Sequence, residues 1–224
     1  MSQITLSEIY VTEIQPRFEA IMARFNSWTH GLRQLEVLLA NDSDVRQRQA
    51  CMVLRMYQSL FAAMLNSFPS GACFDRFDED LFTALKLAES LLQIQDQEAK
   101  TRTNISLALG VIPVLFVIAW RSNHVFLRDQ SLELLRLSNG REGIWDGKVA
   151  FEIARRFVAL KALGVEADSG CHIQISELQF DSENTCQLIC RVVGSETPPV
   201  GNLMPFEGSI GERRIVETIH LESS

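Results

Sequence analysis

Apolar residues recur at three- and four-residue steps through the first half of the chain. In Leu6–Leu39 the residues Phe18, Ile21, Met22, Phe25, Trp28, Leu32, Leu35 and Leu39 keep this helical period. Pro16 begins the main helix there, because the first turn has no use for the amide that proline lacks. Asn41-Asp42-Ser43 reads as a turn with a helix cap, and Asp44–Phe68 repeats the pattern through Met52, Met56, Leu60, Met64 and Phe68 until Pro69-Ser70-Gly71 breaks it. A third helix from Phe74 to about Gln95 places Phe77, Leu81, Leu85, Ala88 and Leu92 on one side. Three polar-faced helices thus precede the most apolar run of the sequence, Ile105–Trp120.

That run is too short for a spanning helix, which needs about 20 apolar residues, and it contains Gly110 and Pro113. It reads as a buried helix in which Pro113 either makes a kink or sets a local start near Gly110–Val111. A basic link and a short helix ending near Leu135–Leu137 follow. Gly140 and Gly143 then bracket a turn, Trp145 comes after it, and Asp146 carries the carboxylate that an N-cap prefers. In the next helix Val149, Ile153, Phe157 and Leu160, with Ala150 and Ala154 beside them, form the apolar stripe. Lys148, Glu152, Arg155, Arg156 and Lys161 fall mostly elsewhere on the wheel.

Beyond Gly164–Gly170 the period changes to two. CHIQISELQF alternates Cys171, Ile173, Ile175, Leu178 and Phe180 with polar residues, allowing one slip near Ser176-Glu177. Asp181-Ser182-Glu183-Asn184 makes a turn and TCQLICRVV returns. A loop containing Pro198, Pro199 and Gly201 leads to a third strand over Arg213–Leu221. The chain is therefore expected to be mainly α: a bundle of about six helices closed by a small C-terminal antiparallel β-hairpin or three-stranded sheet. No internal repeat or linker divides it, so residues 1–224 are expected to form one domain with a β appendage at about 171–221.

Composition narrows the function classes. Five cysteines without regular spacing make no disulfide framework, and MSQITLSEIY lacks the features of a signal peptide. An intracellular setting, nucleus or cytoplasm, is expected, with no membrane association. A net charge of −7 argues against a broad phosphate-binding surface, and hence against direct DNA binding.

Motifs for chemistry are few. The sequence has no GxSxG, HExxH, glycine-rich phosphate loop or kinase signature. Cys186 and Cys190 on one strand stand about 13 Å apart, too far for two thiolates that must each reach roughly 2.3 Å from one zinc. His30, His172 and His220 have no metal-like partner in sequence, so neither a metal nor a cofactor is expected. Met52, Met56 and Met64 read as adaptable core. In the link RSNHVFLRD, His124 could transfer protons with Asp129 or Glu142 as neighbour, beside a pocket walled by Trp120 and Trp145. The structural alternative, which is favoured, has Arg121 and Arg128 pairing with Glu142 and Asp146 to hold the turn.

The order of these segments carries a resemblance. Pro113, Phe116, Arg121, Arg128, Leu134, Leu135, Arg141, Glu142, Gly143, Trp145, Asp146, Ala150 and Ala154 follow one another as in the C-terminal part of the effector, or middle homology, domain of fungal zinc-cluster transcription factors. FDRFDEDLFTALKLAESLL resembles an earlier segment of that family. The six-cysteine zinc cluster is absent from the sequence, and Asn123-His124 stands where the family commonly has Asp-Pro. The resemblance implies a regulatory or interaction protein linked to secondary metabolism, working through a protein partner or a small-molecule ligand. The alternative is a biosynthetic enzyme of isomerase or cyclase type on the same scaffold, with His124, Glu142 or Asp146 as weak catalytic candidates. In either case Arg121, Arg128, Arg141, Glu142, Trp145 and Asp146 are expected to latch the corner. Trp145 should fill the junction, Arg141 or Arg128 should pair with Glu142, and Asp146 should cap the next helix.

Overall fold

Pro113 decides where the central helix begins. Its missing amide is harmless only in a first turn, and the helix starts one residue earlier, at Ile112, with the proline in that turn and Val111 at the N-cap. The computed structural model describes residues 14–39, 44–67, 78–99, 110–138, 141–142, 145–167, 171–181, 185–194 and 213–220. Among these are six helices: α1 (Gln15–Leu39), α2 (Val45–Ser67), α3 (Asp78–Ala99), α4 (Ile112–Arg121), α5 (Val125–Leu137) and α6 (Gly147–Ala167). A short hairpin, β1 (Arg141–Glu142) with β2 (Trp145–Asp146), lies between α5 and α6. The strands β3 (Cys171–Phe180), β4 (Thr185–Gly194) and β5 (Arg213–His220) close the chain. The fold is mainly α with a small antiparallel sheet, as the periodicity predicts. Several expected features lie outside the described residues: the start of the first helix before Ile14, the turns at 41–43, 69–71 and 182–184, residues 74–77, the apolar positions 105–109, Gly140 and Gly143, and the Pro198–Gly201 loop.

α4 is buried almost all round, through Ile112, Val114, Leu115, Phe116, Ile118 and Ala119. It packs against α3, α5 and α6 and touches α2 and β2. A helix apolar on every side belongs in the middle of a bundle. Around it, α2 turns Val53, Met56, Leu60 and Ala63 inward, and α3 turns Leu81, Ala84, Leu85, Ala88 and Leu91 inward. The α3 set keeps the face read from the sequence, whereas the inward face of α2 is shifted from Met52 and Met64 toward Val53 and Ala63. α1 is peripheral: Leu32 is its only buried residue among those described, and its helical neighbour is α2, where Trp28 meets Phe61 edge-on. Asp44 caps α2, accepting from the Arg46 amide at 2.9 Å. Three acids, Asp78, Glu79 and Asp80, occupy the first turn of α3, where the helix dipole favours negative charge.

In the sheet the strand order is β3-β4-β5, all antiparallel. The register slips between Ile175 and Glu177, where the alternation breaks, and the Ser176 hydroxyl donates to the Ile189 carbonyl at 3.0 Å. This bulge returns Leu178 to the core side. Cys186, Leu188 and Cys190 of β4 and Ile219 of β5 join the helical residues in one continuous core. α6 packs on β3, and Arg156 reaches Glu217 of β5 at 3.2 Å. Among the described residues no helix is long and apolar enough to cross a membrane.

The methionines of α2 separate by depth: Met56 is fully buried and Met52 half-buried, whereas Met64 is 40% exposed. Met56→Ala should therefore cost about 2–5 kcal/mol, and Met64→Ala less than about 1 kcal/mol. Urea denaturation of the two variants checks the difference.

Candidate functional site

The hairpin between α5 and α6 sets the geometry of the corner. β1 and β2 pair with Arg141 opposite Asp146 and Glu142 opposite Trp145. Directly opposed residues share a face of an antiparallel pair. Glu142 and Trp145 accordingly both work on α4. The Glu142 carboxylate is buried, with Oε1 accepting from the Val111 amide at 3.1 Å and Oε2 from the Ile112 amide at 2.8 Å. These are amides at the start of α4 that have no partner within the helix. Val111 at the N-cap makes no side-chain cap of its own. A carboxylate distant in sequence does what the local side chains cannot.

Gly110 makes room for this contact. A Cβ there would lie 1.8 Å from the Glu142 carboxyl carbon. The Gly110 carbonyl accepts from the Tyr57 hydroxyl of α2 at 3.1 Å, so α2 is tied to the same point. Burial, and then the charge of Glu142, pushes Tyr57 up to about 12, which keeps its phenol a donor. Burial pushes the Glu142 carboxyl above its ordinary range, and the Ile112 and Val111 amides pull it part of the way back.

Trp145 is half-buried. Its ring centroid lies 5.4 Å from that of Phe116, which is 6.4 Å from Trp120, and Trp120 meets Phe157 of α6 edge-on at 6.3 Å. Phe116 thus occupies the space between the two tryptophans, where the sequence suggests a pocket. Asp146 Oδ1 accepts from the Lys148 amide at 3.0 Å and the Val149 amide at 3.1 Å, capping α6. Gly147 passes so close to the end of α5 that a Cβ would lie 1.8 Å from the Ser138 carbonyl oxygen.

His124 stands elsewhere. It precedes α5, just beyond the C-terminus of α4. Glu142 is bound at the N-terminus of α4, and the ten residues of that helix separate the two by about 15 Å. The His124 ring lies edge-on to Phe82 at 5.4 Å, with Nδ1 buried and without a hydrogen-bond partner among the described residues. The expected association of His124 with Glu142 is therefore corrected: the intervening helix keeps them apart. So is the pairing of Arg128 with Glu142, because both Glu142 oxygens take backbone amides and Arg128 Nε donates to Asp129 at 3.1 Å. Arg121 is exposed at the C-terminal end of α4, its guanidinium 5.6 Å from the Trp120 ring centroid. The side chain of Arg141 lies outside the described residues.

Sequence reasoning missed Tyr57 and Gly110 as parts of the corner. Gly110 offers a signal, three residues before a first-turn proline, where an acceptor must approach the backbone. Tyr57 offers none. Among the described residues no group of three or more His, Cys, Asp or Glu side chains could hold a metal ion. Comparison of the chain with protein-family models, with characterised proteins and with solved structures finds no match.

Glu142→Ala strands two buried amides and should cost about 2–5 kcal/mol. Glu142→Gln keeps one acceptor oxygen and turns its NH2 toward the other amide, so it should cost about 1–3 kcal/mol, less than Glu142→Ala. Because the folded-state value of Glu142 is raised, its stability contribution is fully present below the unfolded carboxylate range and is lost as pH rises through the folded value. The parent should accordingly lose ground to Glu142→Gln as pH rises from about 4.3, the ordinary glutamate value, through the raised folded-state value. Denaturant titrations of parent and variants across this interval measure both effects. Trp145→Ala should cost about 3 kcal/mol, against about 1 kcal/mol for Asp146→Ala. Equal costs would mean that the indole does not hold the junction.

Proposed function

We propose that this protein is a regulatory module resembling the effector domain of fungal zinc-cluster transcription factors, associated with secondary metabolism and acting through a protein partner or a small ligand. It does not read DNA itself. One observation carries the choice against catalysis: the acids of the corner are spent on backbone. Glu142 gives both oxygens to the start of α4, and Asp146 caps the start of α6. A general acid or base must reach a substrate proton, and a carboxylate enclosed by amides at a helix start does not. The order of elements around the corner supports the effector-type reading: an apolar helix with a first-turn proline, a short helix, a tight hairpin and an alanine-containing helix. The charge of −7 favours action through partners other than phosphate backbones.

Fusion of the whole chain to an unrelated sequence-specific DNA-binding domain tests this reading in a fungal host. Transcription from the cognate reporter should change relative to the DNA-binding domain alone, and His124→Ala should leave that change intact. The chain without the fusion should give no sequence-specific footprint at physiological salt. An inert fusion, together with turnover of a biosynthetic intermediate that His124→Ala abolishes in a folded protein, would replace the regulatory reading with the isomerase or cyclase one.

A further inference from the structure

α1, α2 and α3 meet around an open cleft of about 340 Å³. Clefts between helices of a bundle, apolar below with a few charged groups at the rim, are common ligand sites. Leu39 of α1, Met52 of α2 and Leu87 of α3 supply apolar lining. Among the described residues that line it, the charged groups are Arg48 and Arg55 of α2 with Glu36 of α1, and Asp80 of α3 also acts on Arg55. Arg48 and Arg55 are seven residues apart, two helical turns, and so project from the same side of α2.

The pairing already present is weak. Arg55 Nε and Glu36 Oε1 are 3.9 Å apart, and both side chains are 37% exposed. An exposed pair of this kind contributes little, so an incoming anion displaces Glu36 at small cost. Guanidinium forks fit planar carboxylates. We infer that this cleft binds a small amphipathic monocarboxylate, its head between Arg48 and Arg55 and its apolar body against Leu39, Met52 and Leu87.

Cys51 also lines the cleft. Burial raises its thiol above the ordinary value, Glu36 adds to this and Arg55 opposes it. The thiol therefore reacts slowly, and its alkylation reports on access to the cleft. The inference deepens the small-ligand arm of the proposed function, and its test reads binding alone. Failure of the reporter assay leaves it standing, and its own failure leaves the protein-partner arm standing.

Decanoate is a suitable probe, with decanol and decyltrimethylammonium as neutral and cationic controls. Titration calorimetry of the intact protein should show saturable binding of decanoate. N-ethylmaleimide labelling of Cys51, followed by peptide mass spectrometry, should slow with decanoate and not with either control. Arg48→Gln and Arg55→Gln should each weaken binding about tenfold, the effect of losing one charge-assisted hydrogen bond. Glu36→Gln should tighten it by removing the competing carboxylate. Circular dichroism verifies that each variant is folded, and the protection of Cys51 in the parent needs no variant. Equal protection by decanol, unsaturated binding, or folded arginine variants with parental affinity would overturn the inference.

Discussion

Two hydrogen bonds from the amides of Val111 and Ile112 to the Glu142 carboxylate hold the centre of this protein. α4 is so apolar that it can sit only in the core, and a buried helix start must find acceptors within the protein. Val111 offers no side-chain oxygen, and Pro113 removes one of the amides that would need one. Glu142 meets the remaining need from across the fold, at the cost of enclosing a carboxyl group away from water. That exchange explains the glycine at 110, where any side chain would occupy the space of the carboxylate. It also explains why a hairpin of two short strands stands between α5 and α6: cross-strand pairing turns Glu142 and Trp145 together onto α4.

The consequences reach outward through contacts that share this point. Tyr57 fastens α2 to the Gly110 carbonyl, Trp145 packs on Phe116, and Asp146 starts α6. α6 then carries Phe157 back to Trp120 and Arg156 out to the sheet at Glu217. The corner is thus a structural junction between the helical bundle and the strands. Its acids look reactive in sequence, in a turn beside two tryptophans and a histidine, but each has a backbone task. That use of the carboxylates weighs against their serving as a general acid or base.

The fold was legible where one periodicity dominated. The stripes of α3 and α6 could be read directly, and the slip at Ser176 followed from the break in alternation, whereas Met64 of α2 and Phe180 of β3, expected inside, are exposed. Pro113 allowed either a kink or a start near Gly110–Val111, because proline tolerates few positions in a helix, and the helix starts at Ile112. The site was less legible, because its partners are far apart in the chain. Nothing local to Glu142 says that it will meet the amides of Val111 and Ile112 rather than a nearby arginine. Opposite charges in one short segment suggested Arg128, and the structure satisfies Arg128 with its immediate neighbour Asp129 instead. His124 and Glu142 look close in sequence, yet α4 lies between their positions. Sequence separation does not encode that distance until the packing of α4 is known.

Amide hydrogen exchange at Val111 and Ile112, resolved by NMR, tests the role of Glu142 most directly. Both amides should exchange only as slowly as the interior of α4, through the opening that unfolds the core. In Glu142→Ala they should exchange far faster than Leu115 and Ile118. Fast exchange of Val111 and Ile112 in the parent, with the rest of α4 protected, would contradict the account by showing that the carboxylate does not hold the helix start.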